Sequence, residues 1–226
     1  MVVLLVFVTV LACIAVDFLL SRRRAPATEA ETALARGRAT MAPAAGERLY
    51  VPEDLYYHPG HAWVAIEGGD MVRAGADDLA WRLTADADEF TPPAVGRWVR
   101  QGMPIWSFTR NGRKVTMLAP VDGVVDEVNP VMLRKANGAR TDPYGRDWVV
   151  RIRVAELGRN LKNLLHGPIV ERWMEDALQR LQARFGASLG PVMADGGVLG
   201  DGIAAAFNDE EWVAVCREQF LSDPTE

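Results

Sequence analysis

Apolar and polar positions follow one another along this chain in three different rhythms, and each rhythm predicts a different kind of element. Residues 2–20 are almost continuously apolar, broken only by Thr9 and Asp17. At about 1.5 Å per residue such a run just spans a hydrocarbon core of roughly 30 Å, which predicts one N-terminal transmembrane helix over 1–21. Residues 22–48, rich in Ala, Thr, Glu, Arg and Pro, have too few large apolar side chains to fold alone and predict a flexible linker. From Leu49 a period of two begins. His61-Ala62-Trp63-Val64-Ala65-Ile66 and Met71-Val72-Arg73-Ala74-Gly75 read as strands joined by the turn Glu67-Gly68-Gly69-Asp70. Two further β-rich runs, 105–109 and 114–118, flank Arg110-Asn111-Gly112-Arg113. A central Asn-Gly predicts a tight hairpin, because both turn residues need positive φ. Past Val154 the period becomes helical. Leu157, Leu161, Leu164 and Leu165 share one face of a short helix that Gly167-Pro168 breaks. Ile169, Val170, Trp173, Met174, Ala177, Leu178 and Leu181 form a second helix up to a stop at Gly186, and Asn208 caps a last one over 209–220.

Composition and charge narrow the function. The chain has 226 residues, 49% hydrophobic and 24% charged, which suits one or two globular domains. Its 25 basic residues are dispersed among 30 acidic ones for a net charge of -5, with no aromatic-studded basic stripe, which argues against nucleic-acid binding. Arg22, Arg23 and Arg24 follow the apolar run directly and no basic residue precedes it, the reverse of a secretory signal. The positive-inside rule then predicts a single-pass protein of a bacterial inner membrane, its soluble part in the cytoplasm. Val10-Leu11-Ala12-Cys13 loosely resembles a lipoprotein cleavage box, but the apolar run continues beyond Cys13. Cys13 and Cys216, with His58, His61 and His166, provide neither a disulfide framework nor a metal-ligand spacing. Asp195-Gly196-Gly197 and the residues after it lack both the calcium-loop glutamate and the Gly-Lys-Ser/Thr of a phosphate cradle, and read as a plain turn. His61 has no nucleophile or second acid beside it and reads as a packed histidine, Cys216 reads as a small buried hydrophobe, and Asp77 is the expected N-cap of a short helix. No constellation of nucleophile, base and orienting group is present, so an enzyme is not expected.

Several motifs fall in one order. His61-Ala62-Trp63-Val64 opens the β region. Val95-Gly96-Arg97-Trp98-Val99-Arg100-Gln101-Gly102 precedes the hairpin, Gly123-Val124-Val125-Asp126-Glu127-Val128-Asn129 follows it, and Asp142-Pro143-Tyr144-Gly145 with Trp148 leads into a closing strand. Over 49–154 this pattern resembles the glycine cleavage H protein, a lipoyl/biotinyl-type domain. The resemblance implies a mainly β (α+β) fold, a lipoyl-domain-like hybrid barrel-sandwich with short helices. Here that domain stands between the N-terminal transmembrane helix and a helical C-terminal extension over 155–226, expected either to cover the β domain or to offer an apolar surface to another subunit.

In that family a lysine at the hairpin tip carries the swinging lipoyl arm. The lysine's place falls on Gly112, the residue before it on Asn111, and the acidic residue three before it on Thr109. The tip is instead Arg110, Asn111, Gly112 and Arg113, with Lys114 two residues past the apex. No cofactor is therefore expected. The basic tip reads as a solvated turn or as a docking point for an acidic partner or anionic lipid. The expected function is a non-catalytic, membrane-anchored accessory or adaptor subunit of a larger membrane protein complex, with the bilayer as its other partner. The alternative is a carrier lipoylated at Lys114, partnered by glycine cleavage enzymes or serving another one-carbon or sulfur pathway.

Overall fold

The alternating run behind the Pro59-Gly60 turn is a strand, and the rest of the first sheet assembles around it. The structure, a computed structural model, describes residues 49–134, 142–189, 193–194, 198–199 and 202–222. Strands β1 (Tyr56–His58), β2 (Ala62–Gly68) and β3 (Met71–Ala76) pair antiparallel in succession. Helix α1 (Asp78–Leu83) follows, then β4 (Glu89–Thr91), β5 (Trp98–Val99), the hairpin of β6 (Pro104–Arg110) and β7 (Arg113–Leu118), β8 (Gly123–Val128), α2 (Pro130–Arg134) and β9 (Val150–Arg153). Beyond Val154 come α3 (Leu157–Leu161), β10 (Leu165–His166), α4 (Ile169–Leu189), the pair β11 (Met193–Ala194) and β12 (Val198–Leu199), a 3-10 turn (Ile203–Ala206) and α5 (Asp209–Phe220).

The fold is mainly β. One sheet has the order β10-β1-β2-β3-β9-β8-β5 and a second the order β4-β6-β7. Successive residues of a strand face opposite ways, so the register decides what is buried. Val72, Ile152 and Val125 lie in one cross-strand row and point inward. They join Trp106, Phe108, Val115 and Met117 of the second sheet in one hydrophobic cluster. On the other face of β1 and β2, Tyr57 and Trp63 stand opposite each other and form a smaller cluster with Val170 of α4.

The motif residues have structural duties. The Asp77 carboxylate caps α1, accepting from the Ala80 N–H at 2.9 Å. The Trp63 indole N–H donates to the carbonyls of Ala76 and Pro143. The Tyr144 hydroxyl donates to the Tyr50 carbonyl and accepts from the Asp78 N–H, so Asp-Pro-Tyr-Gly braces the start of α1.

The C-terminal helices take the first of the two roles expected of them. Met174, Leu181, Trp212, Val215 and Phe220 belong to the same cluster as the sheets, so this region covers the β domain. One helix expectation is corrected. The first helix ends at Leu161, and Leu165 lies instead in β10, paired with Tyr57 and packed in the smaller cluster. An edge-strand position burying that side chain outcompetes one more helical turn. The second helix breaks beside the expected stop: the backbone is non-helical at Phe185 (φ -122°, ψ 16°), next to Gly186, a further short helical stretch runs on to Leu189, and the Phe185 ring packs edge-on against Phe207.

Everything described belongs to one compact unit, Ala42–Glu226. The transmembrane helix expected over 1–21, the flanking Arg22, Arg23 and Arg24, and the linker expected over 22–48 lie outside the described residues. Among the described residues no helix is long and apolar enough to cross a membrane.

Candidate functional site

The hairpin turns where Asn-Gly demands it. Asn111 (φ 49°) and Gly112 (φ 76°) both occupy the left-handed region, and the register runs Phe108 to Val115, Thr109 to Lys114 and Arg110 to Arg113. Strand alternation then places Arg110 on the same face as Trp106 and Phe108, the face that points into the core. Arg110 is therefore not a solvated tip residue. Its side chain is only 11% exposed.

A residue placed so needs partners, and α5 and the 3-10 turn before it supply them. The Arg110 guanidinium donates through Nε to Asp209 Oδ1 at 3.2 Å, through Nη1 to the Ala204 carbonyl at 2.9 Å and through Nη2 to the Phe207 carbonyl at 2.6 Å. It also lies over the Trp212 ring, 5.4 Å from the centroid. The Asn111 side-chain amide donates to both oxygens of Asp209, and its backbone N–H donates to Asp88 Oδ2 at 2.6 Å. The start of α5 is held in turn by a capping box, Asn208 accepting from the Glu210 and Glu211 N–H groups while Glu211 accepts from the Asn208 N–H. The first turn of α5 carries Asp209, Glu210 and Glu211, so a negative helix start meets a positive hairpin.

The expected basic cluster is thus divided. Arg110 and Asn111 are bonded within the chain, which corrects the reading of an open docking tip. Arg113 makes only a loose pair with Glu210 at 3.6 Å, where Glu210 is 83% exposed. Lys114 is exposed on the opposite face, in a cross-strand row with Thr109 and Glu89, and makes no ion pair among the described residues. Around Gly112 the space is open, with nothing within 4 Å of where a Cβ would stand. The apex lacks an amine through its residue type, not through being covered.

The far end of α5 is fastened too. Gly60 approaches it so closely that a Cβ would lie 2.6 Å from the Phe220 carbonyl oxygen. Beside it, His61 is buried at positive φ (65°), with Nδ1 2.7 Å from Asp77 Oδ2, Nε2 3.2 Å from Gln219 Oε1 and its ring stacked on Trp173. His61 is a junction between α1, α4 and α5, as a packed histidine should be. Burial, and secondarily the neighbouring His61, pull the His58 imidazole down to about 4, and its Nδ1 accepts from the Gly60 N–H. Burial pushes the Cys216 thiol well above its ordinary range, which suits a packing role. Among the described residues no group of His, Cys, Asp or Glu is placed to hold a metal.

The sequence reading missed Asp209, Asp88, Gly60 and Gln219, all of them partners distant in sequence. One signal was available, the run Asp209-Glu210-Glu211 behind a helix cap, opposite in charge to the hairpin.

Two sheets around one core, a projecting Asn-Gly hairpin and the bracing Asp-Pro-Tyr-Gly define a lipoyl/biotinyl-type carrier scaffold, a class that presents groups to enzymes and does no catalysis itself. The family model for the glycine cleavage H-protein matches residues 55–177, running past Val154 into α4. The chain belongs to the glycine cleavage H-protein family, and it is not an enzyme. The glycine cleavage system H protein of Rubrobacter xylanophilus is 33% identical over 106 residues, covering 47% of this chain and 83% of that protein. That of Mycobacterium tuberculosis is 31% identical over 104 residues, covering 46% and 78%. A crystal structure of an H protein from Mycobacterium marinum matches 46% of this chain and 87% of that one, at 25% identity and a TM-score of 0.42.

Proposed function

We propose that this protein is a membrane-anchored adaptor that uses the H-protein scaffold without lipoate and attaches to a larger membrane protein complex. The observation that carries the reading is the hairpin itself. A carrier needs a lysine amine at the apex on an arm free to swing. Here the apex is Gly112, and its neighbours Arg110 and Asn111 are bonded to Asp209. A hairpin tied to the body of the domain supports a rigid scaffold. The apolar run over 2–20, followed by Arg22, Arg23 and Arg24, supports an anchor in the inner membrane with the domain in the cytoplasm.

A second reading, a lipoyl carrier of glycine cleavage or of another one-carbon or sulfur pathway, has its own support. The relatives are named glycine cleavage system H proteins, and Lys114 presents an exposed amine two residues past the apex. An arm attached there would start from the outer face of β7 rather than from the turn.

Purification of the tagged protein from its native membranes in mild detergent, with its intact mass and its companions both determined, separates the two. The adaptor reading expects the unmodified mass and a stoichiometric membrane partner, retained in Lys114→Arg. A lipoyl adduct on Lys114 accompanied by glycine cleavage enzymes, both lost in Lys114→Arg, would overturn it.

A further inference from the structure

With the hairpin engaged by its own chain, the strongest unpartnered surface lies at an edge of the larger sheet, on β5. Trp98 is 56% exposed there, and its cross-strand partner on β8, Val124, shares its face and is exposed as well. Val95 at 63% and Met103 at 50% exposure flank the strand. An indole so exposed is uncommon in a domain that buries Trp63, Trp81, Trp106 and Trp212 almost completely.

The cations around it are only loosely matched. Arg100 lies over the Trp98 ring at 5.6 Å, and Arg97 reaches only a backbone carbonyl, that of Pro104. Neither makes a salt bridge among the described residues, though the Arg100 charge is one of those that hold the Asp122 carboxyl below its usual range. The acids close by are already engaged, Asp122 with the Gln101 N–H and Arg159, and Asp126 with Arg153. The patch therefore combines an exposed tryptophan, aliphatic groups and two guanidinium groups that no salt bridge holds.

We infer that the β5 edge rests on an anionic lipid surface, with Trp98 at headgroup depth and Arg97 and Arg100 against lipid phosphates. Tryptophan favours the membrane interface because its ring is apolar and its N–H polar, and arginine is attracted to the anionic cytoplasmic leaflet. So small a patch would bind weakly from bulk solution. The inference rests on the anchored reading, under which the domain is tethered beside the bilayer and a high effective concentration replaces intrinsic affinity. The contact would hold the domain in one orientation on the membrane and leave its other faces to a partner.

The test uses the full chain in vesicles of phosphatidylcholine and phosphatidylglycerol carrying brominated acyl chains, which quench only tryptophans at the bilayer. The expected result is a quenched fraction that is lost in Trp98→Phe, reduced in the Arg97→Gln, Arg100→Gln pair, and reduced by salt or by omitting phosphatidylglycerol. A chain that floats with the vesicles but is quenched equally in wild type and Trp98→Phe overturns the patch and leaves the anchor standing. A chain that does not float at all overturns both. Co-purification of a protein that shields Trp98 from an aqueous quencher, with no quenching by the brominated lipid, would make the edge a protein contact and also overturn it.

Discussion

Replacing Arg110 by alanine tests whether the hairpin is fastened to α5 as the geometry indicates. The truncation removes three charge-assisted hydrogen bonds, two of them to the carbonyls of the buried residues Ala204 and Phe207. Bonds from a charged donor contribute about 1.5–3 kcal/mol each, and the stacking on Trp212 adds roughly 0.5–1 kcal/mol. Water entering the vacated space offsets part of this, since the Asp209 side chain is 33% exposed. The net cost should be about 3 kcal/mol, a large share of the roughly 5–15 kcal/mol that holds a domain together. Arg113→Ala is the control. It breaks a loose pair with a nearly bare glutamate and should cost less than about 0.5 kcal/mol. The assay is urea unfolding of the full chain in one detergent, followed by tryptophan fluorescence. With a slope of about 2 kcal/mol per molar urea, Arg110→Ala should lower the midpoint by roughly 1.5 M and Arg113→Ala should hardly move it. Hydrogen exchange should place the first loss of protection in α5. Equal midpoints for the two variants would refute the reasoning and return Arg110 to the solvent.

Two further outcomes follow from the other end of the same helix. Gly60→Ala puts a Cβ 2.6 Å from the Phe220 carbonyl oxygen, so the backbone must shift at a cost of about 1–3 kcal/mol. Hydrogen exchange should then show faster opening of the last turn of α5 with the hairpin unaffected, and a neutral variant would show the close approach to be wrong. His58, lowered from 6.5 to about 4, stays neutral in the folded chain while the unfolded chain takes up a proton. Stability should therefore fall as the pH drops from about 6.5 towards about 4, and His58→Gln should flatten that stretch of the curve. An imidazole titration near 6.5 in the folded chain, read by NMR, would contradict this.

What was legible in the sequence was whatever depends on neighbours in the chain. Asn111-Gly112 dictated its own turn, Asp77 and Asn208 announced the helices that they cap, and the run 62–66 announced strand β2, though not that its start is buried on both faces. The scaffold could also be recognised, because its motifs keep their order and spacing. Arg110 was misread for a physical reason. A basic residue beside a turn is usually solvated, and only the register of β6, which sets it in the row of Trp106 and Phe108, turns it inward. Its partner Asp209 lies 99 residues away, beyond the reach of any local pattern. Leu165 was misplaced similarly, since its helical spacing with Leu157 and Leu161 is real but a pairing with Tyr57, far upstream, decides its state. The break beside Gly186 was legible as well, since the helical backbone fails at the adjacent Phe185.

The fastening of the hairpin to α5 sets an order on the birth of the molecule. A ribosome makes about 5–20 residues per second, and domains begin to fold as they emerge. Every strand of both main sheets is synthesised before Asp209, so the sheets can assemble while Arg110 still has no acid and no carbonyl to receive it. During that interval the nascent chain displays at its hairpin a third cation, Arg110, beside the Arg113 and Lys114 that stay exposed in the finished protein. Termination after His166 but before Ala204 would keep every strand of the two sheets and remove every partner of the Arg110 guanidinium. Such a product would be recognisable to proteases and chaperones by the very surface that completion hides.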